Sequence, residues 1–95
     1  MLSFVWDEEK ATINLEKHGI SFAEAKSVFY DDHARFVTDE DNSENEKRFL
    51  LLGMSFKPRL LLVCHCYKDD DRIVRIISAR KSTRHEAQMY RRFKS

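Results

Sequence analysis

Three apolar segments crowd the second half of this chain, at roughly 47–55, 59–67 and 72–79, with only a few polar residues between one and the next. Pro58 falls in the first gap and Lys68–Asp71 fills the second. Each segment has the length and the aliphatic and aromatic content of a strand. Gaps this short cannot hold the crossover that parallel neighbours require, so the three should run as an antiparallel meander. Ala34–Val37 supplies a fourth short strand ahead of them.

Helix punctuation flanks the meander. Residues 3–6 can open with a short strand, and Asp7 then caps a helix whose first turn carries Glu8 and Glu9, where the dipole favours acids. Ala11 and Leu15 recur at helical spacing, and His18-Gly19 supplies the stop. Ser21-Phe22-Ala23-Glu24 is a capping box that opens a second helix, with Phe22, Ala25, Val28 and Phe29 on its buried face and Asp31-Asp32 at its end. Thr83-Arg84-His85-Glu86 is a second box. It starts a final helix to about Phe93, with Glu86, Ala87, Tyr90 and Phe93 on one side and Arg84, Gln88, Arg91 and Arg92 on the other. The expectation is one α+β domain over residues 1–95. It has two N-terminal helices, an antiparallel sheet of about four strands, a C-terminal helix, and its helices on one sheet face.

Composition narrows the class. With 95 residues, 42% hydrophobic and 35% charged, the chain can bury one modest core and is not disordered. No apolar run approaches bilayer length. Met1–Trp6 lacks a basic leader region and meets charge at Asp7, so neither a membrane span nor a signal peptide is expected. Cys64 and Cys66 lie two apart on one strand, a poor geometry for a disulfide, and read as reduced thiols of a cytoplasmic protein.

Charge is distributed unevenly. From residue 72 onward there are eight Lys/Arg against one acid, Glu86, a local net of +7; the first 71 residues carry −6. Arg72, Arg75 and Arg80 stud the last strand, and Lys81, Arg84 and Arg91 continue the charge into the helix. Guanidinium groups on a rigid strand grip phosphate well, because each offers a planar fork of donors that keeps its proton. Strand alternation sets Arg75 with Ile73 and Ile77 and puts Arg80 on the other parity, so the two converge only if the strand twists or ends near Ala79. The bland alternative is an ion pair of either arginine with Glu46 or Glu86.

Phe4-x-Trp6-Asp7-x-x-Lys10, Asn14, Lys17-His18-Gly19-Ile20-Ser21-Phe22, Glu24-Ala25 and Val28-Phe29 appear in order. They are followed by Glu46-x-Arg48, Gly53-x-Ser55, Arg75-Ile76-Ile77-Ser78-Ala79-Arg80, Glu86 and Tyr90. Over nearly its whole length the chain thereby resembles the BrnT-type toxins of bacterial type II toxin–antitoxin pairs. The resemblance implies a small RelE-like fold and a ribonuclease that halts translation. It also implies a BrnA-like antitoxin that wraps the toxin in a hetero-oligomer and brings a DNA-binding domain.

RNA cleavage through the ribose 2′-OH needs a base, cations for the phosphorane and an acid for the leaving 5′ oxygen. No carboxylate cluster with Mg²⁺ spacing stands out, so the expectation is a metal-independent endoribonuclease without cofactor, acting on mRNA free or on the ribosome. Arg75 and Arg80 are the leading phosphate contacts. Arg48 shares a strand face with Glu46, which acts as general base or positions Arg48. His18 is a catalytic candidate or a helix C-cap. His65, between Cys64 and Cys66, is an acid or base on the open sheet face; a metal role is disfavoured because the thiols point the other way. Tyr90 stacks on a base or, more in keeping with its helical register, packs in the core, as does Trp6. The acidic stretch 38–46 reads as a solvated loop, which beyond that keeps RNA from binding the wrong face or meets basic antitoxin residues. The competing readings are a non-catalytic nucleic-acid or antitoxin-binding module, and a degenerate toxin kept as co-repressor.

Overall fold

A computed structural model of the chain describes residues 2–37 and 47–94. In order it contains β1 (Ser3–Val5), α1 (Glu8–His18), α2 (Phe22–Ser27) prolonged by a 3-10 turn (Val28–Tyr30), and β2 (Arg35–Val37). There follow β3 (Phe49–Met54), β4 (Leu60–Lys68), β5 (Ile73–Lys81) and α3 (Arg84–Lys94). The meander is present: β3 pairs antiparallel with β4 from Phe49↔His65 to Met54↔Leu60, and β4 with β5 from Leu61↔Lys81 to Lys68↔Ile73. The acidic stretch 38–46 lies outside the described residues, and Glu46 with it.

Two expectations are corrected. The sheet has five strands, not about four, in the order β1-β5-β4-β3-β2, and it is mixed. β1 joins parallel to β5 through Ser3↔Ile73, Phe4↔Val74 and Val5↔Arg75. Everything between β1 and β5 serves as the long excursion that parallel pairing needs. The helices also occupy both faces. Leu51, Leu61, Val63, Val74, Ile76 and Ala79 bury against Ile20, Phe22, Ala25 and Val28 of the α1–α2 layer. On the opposite face Leu52 and Leu62 bury against Tyr90 of α3, with Leu50, Met54, Leu60 and Met89 around them. The apolar run in β3 and β4 is continuous because both faces are covered.

The caps form as the residue types require. The Asp7 carboxylate accepts from the amides of Glu9 and Lys10, at 2.8 and 3.1 Å. Gly19 takes the left-handed conformation (φ 70°) that ends α1, its N–H donating to Leu15 O. The Ser21 box is only half made: Ser21 Oγ accepts from the Glu24 amide, but the Glu24 side chain turns inward. There, fully buried, it accepts from Ser55 Oγ at 2.7 Å and Arg59 Nε at 2.9 Å. A second donor, Arg59 Nη2, completes the ion pair. Burial pushes the Glu24 carboxyl up, and the Arg59 and Ser55 hydrogen bonds outweigh it and hold the group below its ordinary value.

Asp31 makes a similar junction on the other side. Its Oδ2 accepts from the Met54 amide at 2.8 Å and from the Tyr90 hydroxyl at 2.6 Å, which fastens α3 to the turn after α2. Gly53 is required where this turn crosses β3. A Cβ there would lie 2.8 Å from both Ala34 Cβ and Val28 Cγ1.

Candidate active site

The geometry of the arginines follows from one irregularity in β5. Cys64 pairs with Ser78 but His65 pairs with Ile76, so Ile77 has no partner on β4. This extra residue is a β-bulge, and it reverses the alternation beyond it. Val74, Ile76 and Ala79 therefore all face the α1–α2 layer, although the spacing from Ile76 to Ala79 is three. Arg75 and Arg80, on opposite parity in a regular strand, emerge together on the α3 face.

On β4 their partners are Cys66 and Leu62. Arg48 immediately precedes β3, whose first residue pairs with His65; extending that register by one residue would set Arg48 opposite Cys66, the partner of Arg75. Strand spacing would then put the Arg48 and Arg75 Cα atoms about 10 Å apart. Arg80 lies roughly 13 Å further along β5. Arg48 is half-buried, and its Nε finds no hydrogen-bond partner among the described residues.

Arg80 is held by α3. Its Nη1 and Nη2 donate to Glu86 Oε1 and Oε2, both at 2.9 Å, while the side chain stays 40% exposed. Glu86 also completes the second capping box, accepting from the Thr83 amide while Thr83 Oγ1 accepts from the Glu86 amide. The Arg80 guanidinium beside it holds its carboxyl below the ordinary value. Nη1 donates additionally to Lys81 O. Five N–H donors minus these leaves Nε–H and one Nη2–H uncommitted among the described residues. They form a second fork along the side of the same guanidinium.

Arg75 opens into a groove of about 360 Å³ lined by Val5, Trp6, Asp7 and Lys68. Trp6 is not wholly core: it is half-buried, packs edge-on against Phe22 and donates from Nε1 to Glu8 Oε1 at 2.8 Å. Sequence reasoning did not put Trp6 and Lys68 beside Arg75. The only signal for it would have been the pairing of β1 with β5.

The remaining candidates separate. Arg72, Lys81, Arg84 and Arg91 are exposed along β5 and α3. His18 ends α1 at a cleft on the edge of β5, away from the arginine face. His65 is corrected most sharply. It is fully buried on the α1–α2 face, between Phe29, Phe36, Phe49 and Tyr67, and so is not on the arginine face. Burial pushes its imidazole below the ordinary value, which keeps it neutral in its aromatic box. Tyr90 is also buried, 3% exposed. Burial and its bond to Asp31 push its hydroxyl up to about 12, and the residue packs against Leu52 and Leu62. Cys64 and Cys66 are not joined in a disulfide. Among the described residues no three His, Cys, Asp or Glu side chains gather into a metal-binding group, and no helix is long and apolar enough to cross a membrane.

Residues 6–86 match the family model of the ribonuclease toxin BrnT of type II toxin–antitoxin systems. The fold is similar to the crystal structure of the ribonuclease toxin BrnT from Brucella abortus. The TM-score is 0.66 at 20% identity, covering 88% of this chain and 100% of that one. No curated protein sequence matches the chain. The family match spans both core faces and the whole arginine-bearing strand, and the chain belongs to the BrnT family of ribonuclease toxins of type II toxin–antitoxin systems.

Proposed function

We propose that the chain is a metal-independent endoribonuclease that cleaves mRNA by attack of a ribose 2′-OH on the neighbouring phosphorus and so inhibits translation. In this reaction the O2′–P bond forms and the P–O5′ bond breaks, leaving a 2′,3′-cyclic phosphate and a 5′-hydroxyl. The observation that carries the reading is the bulge in β5, which brings Arg75 and Arg80 to one sheet face. Positive charge fixed in advance where the phosphorane gains negative charge is the strongest contribution a site of this kind can make.

In this reading Arg75 and Arg48 grip the scissile phosphate across the sheet. Arg80, oriented by Glu86, offers its side-on fork to a flanking phosphate. Arg72, Lys81, Arg84 and Arg91 guide the strand. Glu46, two residues before Arg48, takes the 2′ proton or holds the Arg48 guanidinium. A BrnA-like antitoxin with a DNA-binding domain silences the toxin by covering the arginine face, and type II membership supports such a partner.

The test is induced expression of the parent chain and of R75Q and R80Q, followed by mapping of RNA 5′ ends. The expected result is growth arrest with new 5′-hydroxyl ends in the parent and neither in the variants. Arrest without new ends favours a non-catalytic binding module. Ends that vanish when extracts are treated with EDTA contradict the metal-independent scheme.

A further inference from the structure

α1 carries its charges in segregated stripes. Lys10, Asn14, Lys17 and His18 recur at the three- and four-residue spacing of a single face, while Glu8, Glu9 and Glu16 fall on the far side. The basic face looks onto β5 just where that strand loses its neighbour: β1 pairs with β5 only as far as Arg75. Beyond that point a cleft of about 180 Å³ opens between helix and strand, lined by Lys10, Lys17, His18, Ile77 and Ser78, with Asn14 at its base. Its walls are fixed. The Asn14 side-chain amide imitates a missing strand, accepting from Ala79 N at 3.0 Å and donating to Ala79 O at 2.9 Å, and it donates also to Ile20 O at 2.9 Å.

We propose that this cleft is a second phosphate-binding subsite, which takes a backbone phosphodiester of single-stranded RNA on the far side of the β5 edge from the cleaved step. The inference rests on the reading of the arginine face given above and extends it to a strand path. Lys10 and Lys17 supply the charge. Both are exposed and neither forms an ion pair among the described residues, so neither is already neutralised. An imidazole N–H of His18, which lines the cleft, adds a donor. The volume argues for a passing strand. Pockets that enclose a whole small ligand run to roughly 300–1,000 Å³, and this one is smaller and cation-lined. The two grooves lie along the same strand: Arg75 lines one, and Ile77 and Ser78 line the other. Two or three strand residues separate them, roughly 7–10 Å. His18 is then a binding residue rather than a proton-transfer group.

The experiment uses the full chain and 2′-O-methyl RNA, which cannot be cleaved because the attacking hydroxyl is blocked. Affinities for a trinucleotide and a 12-mer are measured by fluorescence anisotropy across a salt series for the parent, K10Q/K17Q and R75Q. Both lysines are exposed, so the double variant should melt with the parent. The expected result is a roughly tenfold loss of 12-mer affinity in K10Q/K17Q, with the salt slope reduced by about 0.7–1.4, and an unchanged trinucleotide affinity. Unchanged 12-mer affinity, or equal losses on both lengths, overturns the subsite. Failure of R75Q to weaken the trinucleotide counts instead against the arginine face, so the two readings fail separately.

Discussion

At the scale of single residues, Glu86 has the most roles for its size: it caps α3, orients Arg80 and leaves that guanidinium a free fork. An E86Q variant keeps the cap geometry but removes the charge partner. It should cost about 1 kcal/mol in stability and let Arg80 swing, so its cleavage rate falls while RNA affinity holds or rises. Denaturant unfolding with a separate binding titration checks this, and equal losses in affinity and rate would contradict the positioning role. Arg59 has a structural part. Removing it in R59A leaves Glu24 buried without its counter-charge, with an expected clear drop in the urea midpoint. The Glu24, Asp31 and Glu86 carboxyls all sit below their ordinary values in the folded chain. Their stabilisation is therefore complete above the ordinary carboxylate value, 4.5 for Glu24, and is lost as pH falls toward the lowered folded values. Urea midpoints should hold from neutral pH to about 5 and drop below it. In E24Q that acid-side drop should shrink.

At the scale of elements, the Asn14 amide welds α1 to the open edge of β5, and its removal leaves the buried Ala79 N–H and C=O unpaired. N14A should destabilise by about 2–4 kcal/mol, read from thermal or urea unfolding. A loss under about 0.5 kcal/mol would show that water replaces the amide at no cost. Much at this scale was legible from residue types. Asp7, Gly19 and the Thr83–Glu86 box set helix ends through local chemistry, and the short gaps around Pro58 and Lys68–Asp71 set the meander. The pairing of β1 was not legible, because a three-residue parallel strand has no pattern of its own and its partner lies some seventy residues away. The bulge left one trace, the break from spacing two to spacing three between Val74, Ile76 and Ala79. The adjacent apolar pair Ile76-Ile77 hid it. His65 was misplaced for a related reason: a strand covered on both faces carries no polar side that marks the open one.

At the scale of the whole molecule, most of the residues that carry the resemblance to the family serve the scaffold. Asn14 welds, Gly53 admits the crossing turn, Ser55 and Glu24 anchor the β3–β4 hairpin, and Tyr90 fastens α3. Arg75 and Arg80 face a sheet surface where packing alone does not call for them, and with Arg48 they are the proposed functional residues. The charge asymmetry belongs to this scale as well. Neutralising Asp39, Glu40 and Asp41 should weaken antitoxin binding in a salt-sensitive manner, and unchanged affinity would reject a role for the acidic stretch. The central claim is that Arg75 and Arg80 act on RNA phosphate from one sheet face. Its most direct test is the single-turnover cleavage rate of purified parent, R75Q and R80Q on one RNA, with circular dichroism to confirm equal folding. The account predicts a loss of about 10²–10³-fold for R75Q and a clear but smaller loss for R80Q. Folded variants that cleave within about twofold of the parent would contradict it.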